Sequence, residues 1–594
     1  MQYTDKRVLI IEDQRPFLML LKGLLNSMGC QEVTIKSSAE QALPECRKQK
    51  FDIVIADLHL GSERKNGFEL AEELRVAQLI SASSIVILIS ADSARPVVLG
   101  SIERRPDDYL IKPFSQIQLK TRIARAWRKR QALLPIYKAI FDGDSAQAIN
   151  TCQQIISHDS QYLHSAEQLL IQLYWQTENN QAALDLLMPY KEQPSAQWVK
   201  TALARTYLNL GDANLAIETS EQVLSKNRFS AEAYDIIAHA RQAIDEGDAA
   251  IAAINQAIKL SPYSTLRFYS ACALARQNHN YPMANTACQA IWDLTKRTVH
   301  QNINHWCSYI RSILDVAEFT DSKQQKNRYQ QDALLHLQRG RDDDLIARLD
   351  NNFNHDIFTQ VVMARIATLD NKKLDAKHAL FNSQQTIAQN YAQYPLCYAT
   401  DSLKVMLELG EYEEALPLTK LLEDNQSALD ESSLFAIRQA KQKAAHHQNE
   451  YSQFNREGIK LYQQNKFEDA RTAFSRAQEH APVNTGVALN LLQCILKVAE
   501  KQQKPEQDLV VDCQRLCKLI TDMPLHSQFE QKFEAMREDI NNLISPSPSS
   551  KSKKRSLTAA RLTLLASKTL IIIVQKGFIL LVMKNNLFTC IANA

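Results

Sequence analysis

Four apolar runs in the first 130 residues each end on a residue that can hold a cation or a phosphate. Val8–Ile11 runs into Glu12-Asp13, Ile53–Ala56 into Asp57, Ile85–Ile89 into Ser90, and Tyr109–Ile111 into Lys112-Pro113. Three carboxylates meeting at one edge cannot all stay ionised without a cation, and oxygen ligands at that density suit a hard ion such as Mg²⁺. A lysine and a hydroxyl facing them suit the oxygens of a phosphoryl group. One carboxylate is then placed to act as nucleophile and become an acyl phosphate.

These residues converge only if the runs are neighbouring strands of one sheet. The runs above, with Val33–Ile35, read as five short strands. Helical spacing follows in Pro16–Met28, Ala39–Lys48, Phe68–Val76, Val97–Arg104 and from Ser115 onward. Strand–helix alternation of this kind predicts a parallel sheet covered by helices on both faces. Polar groups that do chemistry gather at the carboxyl ends of such strands.

With these residues in this order, residues 1–128 resemble the receiver domain of two-component response regulators, a flavodoxin-like α/β fold. The resemblance implies that Asp57 accepts phosphate from a histidine kinase or histidine phosphotransfer protein. It also implies that Glu12, Asp13, Asp57 and the backbone carbonyl of His59 hold Mg²⁺, and that Ser90 and Lys112 bind the phosphoryl oxygens. Lys112-Pro113 is implied as a cis peptide, and Tyr109 as the aromatic that turns inward when Ser90 moves. One departure stands out. The family's glycine usually follows the acceptor by eight residues, whereas Gly67 follows Asp57 by ten. The longer Leu58–Asn66 loop places Arg64 and Lys65 beside the mouth of the site.

Residues 129–545 carry no strand pattern and little glycine. Ala148, Ala182, Ala216, Ala250 and Ala284 recur every 34 residues. Ile136, Leu170, Ala204, Ala238 and Cys272 stand twelve residues before them. Small or apolar residues at fixed points of a 34-residue helix–turn–helix let helices approach closely, and the pattern resembles the tetratricopeptide repeat (TPR). Gly143 and Gly211 are placed to turn between the helices of their repeats. The register covers 129–294 in five repeats, slips, and returns around Ala364/Ala376, Gly410/Ala415 and Gly458/Ala470. Residues 295–545 are therefore read as further TPR-like hairpins, eight to eleven in the whole array, stacked into an all-α superhelix. The helix starting at Ser115 leads into the first repeat without a flexible linker, with Pro135 as a candidate kink.

Several other motifs carry no chemistry. Glu414-Ala415-Leu416 falls on a repeat alanine, His158-Asp159 and His355-Asp356 are lone dyads, and Trp175, Trp198, Trp292 and Trp306 read as hairpin core. The 594 residues include 11 cysteines, from Cys30 to Cys590, with no CxxC, which suggests neither a zinc framework nor disulfides and fits a reducing compartment. The net charge of +3 is local. Eight bases and no acids lie beyond Ile540, which leaves residues 1–539 at −5 and disfavours direct DNA binding. Residues 546–594 read as a basic tail without settled structure, containing an apolar segment at 562–583 that Lys568 and Lys576 interrupt. Membrane contact by this tail is the lesser expectation.

The expected function is a cytoplasmic, non-enzymatic response regulator in which Asp57 phosphorylation controls protein binding by the TPR surface. The alternative is a constitutive TPR scaffold whose receiver is a kinase docking site or phosphate sink.

Overall fold

The computed structural model describes residues 2–61, 65–92, 106–158, 161–191, 197–350, 353–502, 506–544, 571–575, 578–583 and 586–587. The chain divides into two compact units, Met1–Tyr309 and Ile310–Ala594.

The first unit opens with five strands, β1 (Arg7–Ile11), β2 (Glu32–Lys36), β3 (Ile53–Asp57), β4 (Ile85–Ser90) and β5 (Asp108–Ile111). They pair in parallel in the order β2-β1-β3-β4-β5. Period-two alternation sends Val8 and Ile10 to one face and Leu9 and Ile11 to the other. Helices α1 (Arg15–Ser27) and Gln116–Ala132 cover the first face through Leu21, Leu25, Leu119 and Ile123. Helices α2 (Ala39–Lys48) and α3 (Gly67–Val76) cover the second through Leu43, Cys46, Leu70 and Leu74. Both faces are dry, so β3 and β4 are buried at every position. Each fully buried aliphatic side chain here stabilises the domain by roughly 1.5–3 kcal/mol. The expected helix at Val97–Arg104 lies outside the described residues.

Five helical hairpins complete the unit: Leu134–Phe141/Ser145–Ser157, Leu163–Gln176/Asn180–Leu187, Gln197–Asn209/Ala213–Lys226, Ala231–Ala243/Gly247–Leu260 and Thr265–Gln277/Tyr281–Thr295. Between the two helices of each stands one residue with left-handed backbone: Gly143, Glu178, Gly211, Asp245 and His279. The amide of the next residue closes the turn on the first helix, for example Asp212 N onto Tyr207 O at 2.9 Å and Asn280 N onto Ala275 O at 2.7 Å. The fourth residue of each second helix is a buried alanine, Ala148, Ala183, Ala216, Ala250 or Ala284. Ala182 is therefore a misassignment by one position. It is only partly buried, because the turn at Glu178-Asn179 comes one residue later than a strict 34-residue period requires.

The junction is short. Helix Gln116–Ala132 ends at the buried Leu133, and Pro135 sits in the first turn of the next helix, where its missing N–H costs nothing. Arg130 fixes the angle. Its Nε donates to Ala82 O at 2.8 Å, its Nη1 lies 3.5 Å from Asp107 Oδ1, and its guanidinium stacks 3.7 Å above the Tyr137 ring. Asp107 also accepts from Arg75 Nη2 and from Val86 N, each at 2.7 Å. Gln78 Nε2 donates to Phe141 O at 2.8 Å.

In the second unit the same turn recurs at Asn371, Gly410 and Asn465, again followed five residues later by the buried Ala376, Ala415 and Ala470. Between helices Ile303–Glu318 and Lys323–Arg341 no residue takes that left-handed conformation. Eight hairpins of the repeat type are thus present among the described residues. Helix Glu431–Gln463 runs for 33 residues, and Gly458 on it admits the Phe474 ring 2.8 Å from where a Cβ would stand. Arg311 and Arg365 are buried, and both pair with Asp401 at 2.9 Å.

Most of residues 546–594 lie outside the described residues. Strands β6 (Ile571–Gln575), β7 (Phe578–Met583) and β8 (Asn586–Leu587) pair antiparallel. The β-branched run IIIV and the apolar run FILLVM supply residues that favour strands. Among the described residues no helix is long and apolar enough to cross a membrane.

Candidate functional site

The site lies at the carboxyl ends of β1, β3, β4 and β5, where the strand order reverses between β1 and β3. Glu12 follows β1 and is fully buried. Asp13 is exposed beside it, and Asp57 closes β3 and is buried. Ligand oxygens of all three lie within 4.8 Å of one another. Lys112, just past β5, bridges the two buried acids, with Nζ 2.8 Å from Glu12 Oε2 and 2.8 Å from Asp57 Oδ2. Burial pushes the Glu12 carboxyl up to about 7; Lys112 pulls it down, and the neighbouring Asp57 charge adds to the rise. Three carboxylates facing one ammonium are a donor set short of positive charge, and a hard divalent cation fits that deficit.

The second half of the site is a grip on the segment after β4. Ser90 is fully buried and its Oγ accepts from Asp92 N at 3.0 Å. The Tyr109 hydroxyl donates to Asp92 O at 3.0 Å, so Ser90 and Tyr109 hold the same residue from two sides. The Lys112-Pro113 peptide is cis. The backbone N–H of His59 lies 3.4 Å from Asp57 Oδ1 while its side chain points to solvent.

Gly67 keeps its place despite the longer loop. Its N–H donates to Leu58 O at 2.9 Å, and a Cβ there would stand 2.3 Å from Asp57 O. The two additional residues are absorbed between Leu58 and Asn66. Lys65 does not serve the pocket, because Nζ pairs with Glu73 at 2.6 Å and its N–H donates to Glu40. Arg64 lies outside the described residues.

The structure thus brings together Glu12, Asp13, Asp57, Ser90, Tyr109 and Lys112. Phe17 was not expected. Its ring lies 4.2 Å from Lys112 Nζ and edge-on to Phe114 at 5.8 Å, which confines the lysine against the acids. The signal was available, since Phe17 sits one helical turn after Asp13 and Phe114 directly follows Pro113.

Fold and pocket together define a doubly wound α/β domain with an acidic, lysine-closed phosphate-type site. Residues 8–124 match the response regulator receiver domain family. The chain is 38% identical over 131 residues to the two-component response regulator ARR2 of Arabidopsis thaliana, a match covering 22% of this chain and 18% of that protein. It is 29% identical over 131 residues to the alkaline phosphatase synthesis transcriptional regulatory protein PhoP of Bacillus subtilis, covering 22% of this chain and 52% of that protein. The chain therefore spans about half or less of these relatives. A tetratricopeptide repeat protein from Parabacteroides merdae is similar over 49% of this chain and 98% of its own, at 11% identity and a TM-score of 0.26. This chain carries a response regulator receiver domain, followed by TPR-like helical repeats.

Proposed function

We propose that Asp57 is phosphorylated by a histidine kinase or histidine phosphotransfer protein and that its phosphorylation controls binding of a protein partner by the TPR surface. The observation that carries the reading is Lys112 bridging Asp57 and Glu12 at 2.8 Å each, with Asp13 beside them. An oxygen of Asp57 attacks phosphorus, the P–N bond to the donor imidazole breaks, and the imidazole leaves with the electron pair and takes a proton. Lys112 moves from Glu12 to a phosphoryl oxygen, and the Ser90 hydroxyl donates to another. Ser90 then gives up Asp92 N, which loosens the grip it shares with Tyr109. Glu12, Asp13, Asp57 and the His59 carbonyl are the residues that would hold Mg²⁺, whose contribution is neutralising charge on the transferred group.

The protein acts in the cytoplasm, without a further catalytic output and without direct DNA binding, in keeping with the net charge of −5 over residues 1–539. The test is capture of partners from lysate by the full chain, with and without Mg²⁺ and beryllofluoride, using Asp57→Ala as control. A partner whose capture changes only when Asp57 is intact supports the switch. An identical set in all lanes overturns it. The constitutive scaffold then takes its place, favoured by the docking of the first hairpin at Ala82 and Asp107, at the end of the sheet away from Asp57.

A further inference from the structure

Three histidines meet on the second unit, away from the phosphoacceptor pocket. His446 and His447 lie midway along helix Glu431–Gln463, and His480 is the last residue of helix Phe467–His480. The left-handed turn at Asn465 folds these helices into one hairpin and brings the three rings together, tilted or edge-on to one another. We propose that His446, His447 and His480 bind a late first-row divalent cation of the Zn²⁺ type.

The geometry argues for a metal more than for stacking alone. The Nδ1 atoms of His447 and His480 are 3.1 Å apart. Two nitrogens on a tetrahedral metal with bonds of about 2.0–2.1 Å are separated by roughly 3.3–3.4 Å. The ring centroids are 5.7 Å apart for His446–His447, 5.4 Å for His447–His480 and 6.4 Å for His446–His480. A circle through those centroids has a radius of about 3.4 Å. A ligated imidazole centroid stands roughly 3.2 Å from its metal once the ring radius is added to the bond. The spacing of the ring centres therefore leaves room for a common ion, to which the rings as oriented present the His447 and His480 nitrogens. Without metal, one of the paired nitrogens must carry the proton that the other accepts, and a cation takes that proton's place.

As placed, His446 does not turn a nitrogen into the pair, because the acidic cluster is the one group among the described residues whose ligand atoms all fall within 4.8 Å. His446 is exposed, and rotation about its Cβ–Cγ bond, which leaves the ring centre in place, is the movement the site requires of it. The Phe454 ring stacks on His480 at 6.1 Å and fixes its plane. Imidazole donors without thiolates favour Zn²⁺, Ni²⁺ or Cu²⁺ over Mg²⁺, so this site and the carboxylate site select different ions. Three protein ligands on a solvent-facing surface leave a coordination position open to water or to a donor from another molecule.

The experiment is calorimetric titration of the full chain with ZnCl₂ under reducing conditions and saturating Mg²⁺, which occupies the carboxylate site. Wild type is expected to show a saturable event that weakens at least about tenfold in His447→Ala and His480→Ala and disappears in the double variant. Thermal melting gives a second reading, with Zn²⁺ raising the transition of wild type and not that of the double variant. Should alanine disturb the fold in EDTA, His447→Gln/His480→Gln keeps the polar surface and serves in its place. Equal Zn²⁺ affinity in wild type and the double variant, or no saturable event in wild type, overturns the site.

Discussion

Removing Asp107 should unfasten the first repeat from the receiver domain. Its carboxylate is the counter-charge for Arg75 at 2.7 Å and for Arg130 at 3.5 Å. Asp107→Ala leaves two confined guanidiniums without an acid and Val86 N without its acceptor. Breaking a buried pair from one side costs about 3–5 kcal/mol. The side chains of Arg75 and Arg130 are 27% and 11% exposed, so solvent screens part of that, and about 3 kcal/mol is the appropriate figure. A cost of that size speeds local opening roughly 100-fold, since about 1.4 kcal/mol is a factor of ten. The assay is hydrogen exchange read by mass spectrometry. In Asp107→Ala, amides of Leu134–Phe141 should exchange about 100-fold faster, while those of β1 (Val8–Ile11) keep their protection and Asp57 still takes beryllofluoride. Arg130→Lys should give a smaller effect in the same direction, because it keeps the charge but loses the planar stack on Tyr137. Unchanged exchange in Leu134–Phe141 would refute the reasoning and leave helix continuity through Leu133 as the whole of the junction.

Three further outcomes are expected. Gly67→Ala places a Cβ 2.3 Å from Asp57 O, so α3 must move and beryllofluoride binding, measured by calorimetry, should weaken at least ~10-fold. His279→Gly relieves a left-handed residue at φ 55° and should raise stability by up to about 1 kcal/mol, whereas Gly410→Ala, at φ 80° with Ala481 2.7 Å from the new methyl, should lower it by more; thermal melting tests the opposite signs. Burial pushes the Lys532 amine down to about 8, and its Nζ donates to the neutral Asn490 Oδ1 at 2.8 Å. Between pH 8 and about 10.4 the unfolded chain binds more protons at this residue than the folded one, so stability at this site rises with pH across that window and the cost is fully present below it. Lys532→Met should therefore stabilise the protein at pH 7 by roughly 1–2 kcal/mol after solvent screening, and the gain should vanish near pH 10; a pH-independent difference would contradict it.

The receiver pocket was legible because its residues are written at strand ends. Glu12-Asp13, Asp57, Ser90 and Lys112 each follow an apolar run, and a parallel sheet forces the ends of β1, β3, β4 and β5 together. The junction was not legible in the same way. Arg128-Lys129-Arg130 reads as a basic run, and nothing local tells that Arg130 turns to Asp107 and Tyr137 while its neighbours face solvent. Its partners are set by how the first hairpin lies against the sheet. The histidine trio is hidden for a similar reason, since 33 residues separate His447 from His480 and only the hairpin joins them.

The slip at Ala182 shows what the repeat specifies. Alanine at a fixed period cannot choose between Ala182 and Ala183, and the arithmetic of 34 favours the wrong one. The invariant is local: a left-handed residue, an amide closing back on the first helix, and a small residue four positions into the second helix. All eight hairpins satisfy it, and five do so without glycine, using Glu178, Asp245, His279, Asn371 or Asn465. Tight closure of the turn demands that conformation. The short turn in its turn brings the second helix so near the first that only a methyl fits at the fourth position, as the full burial of Ala148, Ala183, Ala216 and Ala250 indicates. Period follows from this geometry and drifts wherever the turn comes one residue earlier or later along the chain, as at Glu178. A search for the array should therefore begin at turn–alanine pairs five residues apart, which places Asn371/Ala376 and Asn465/Ala470 on the same footing as the glycine-marked repeats.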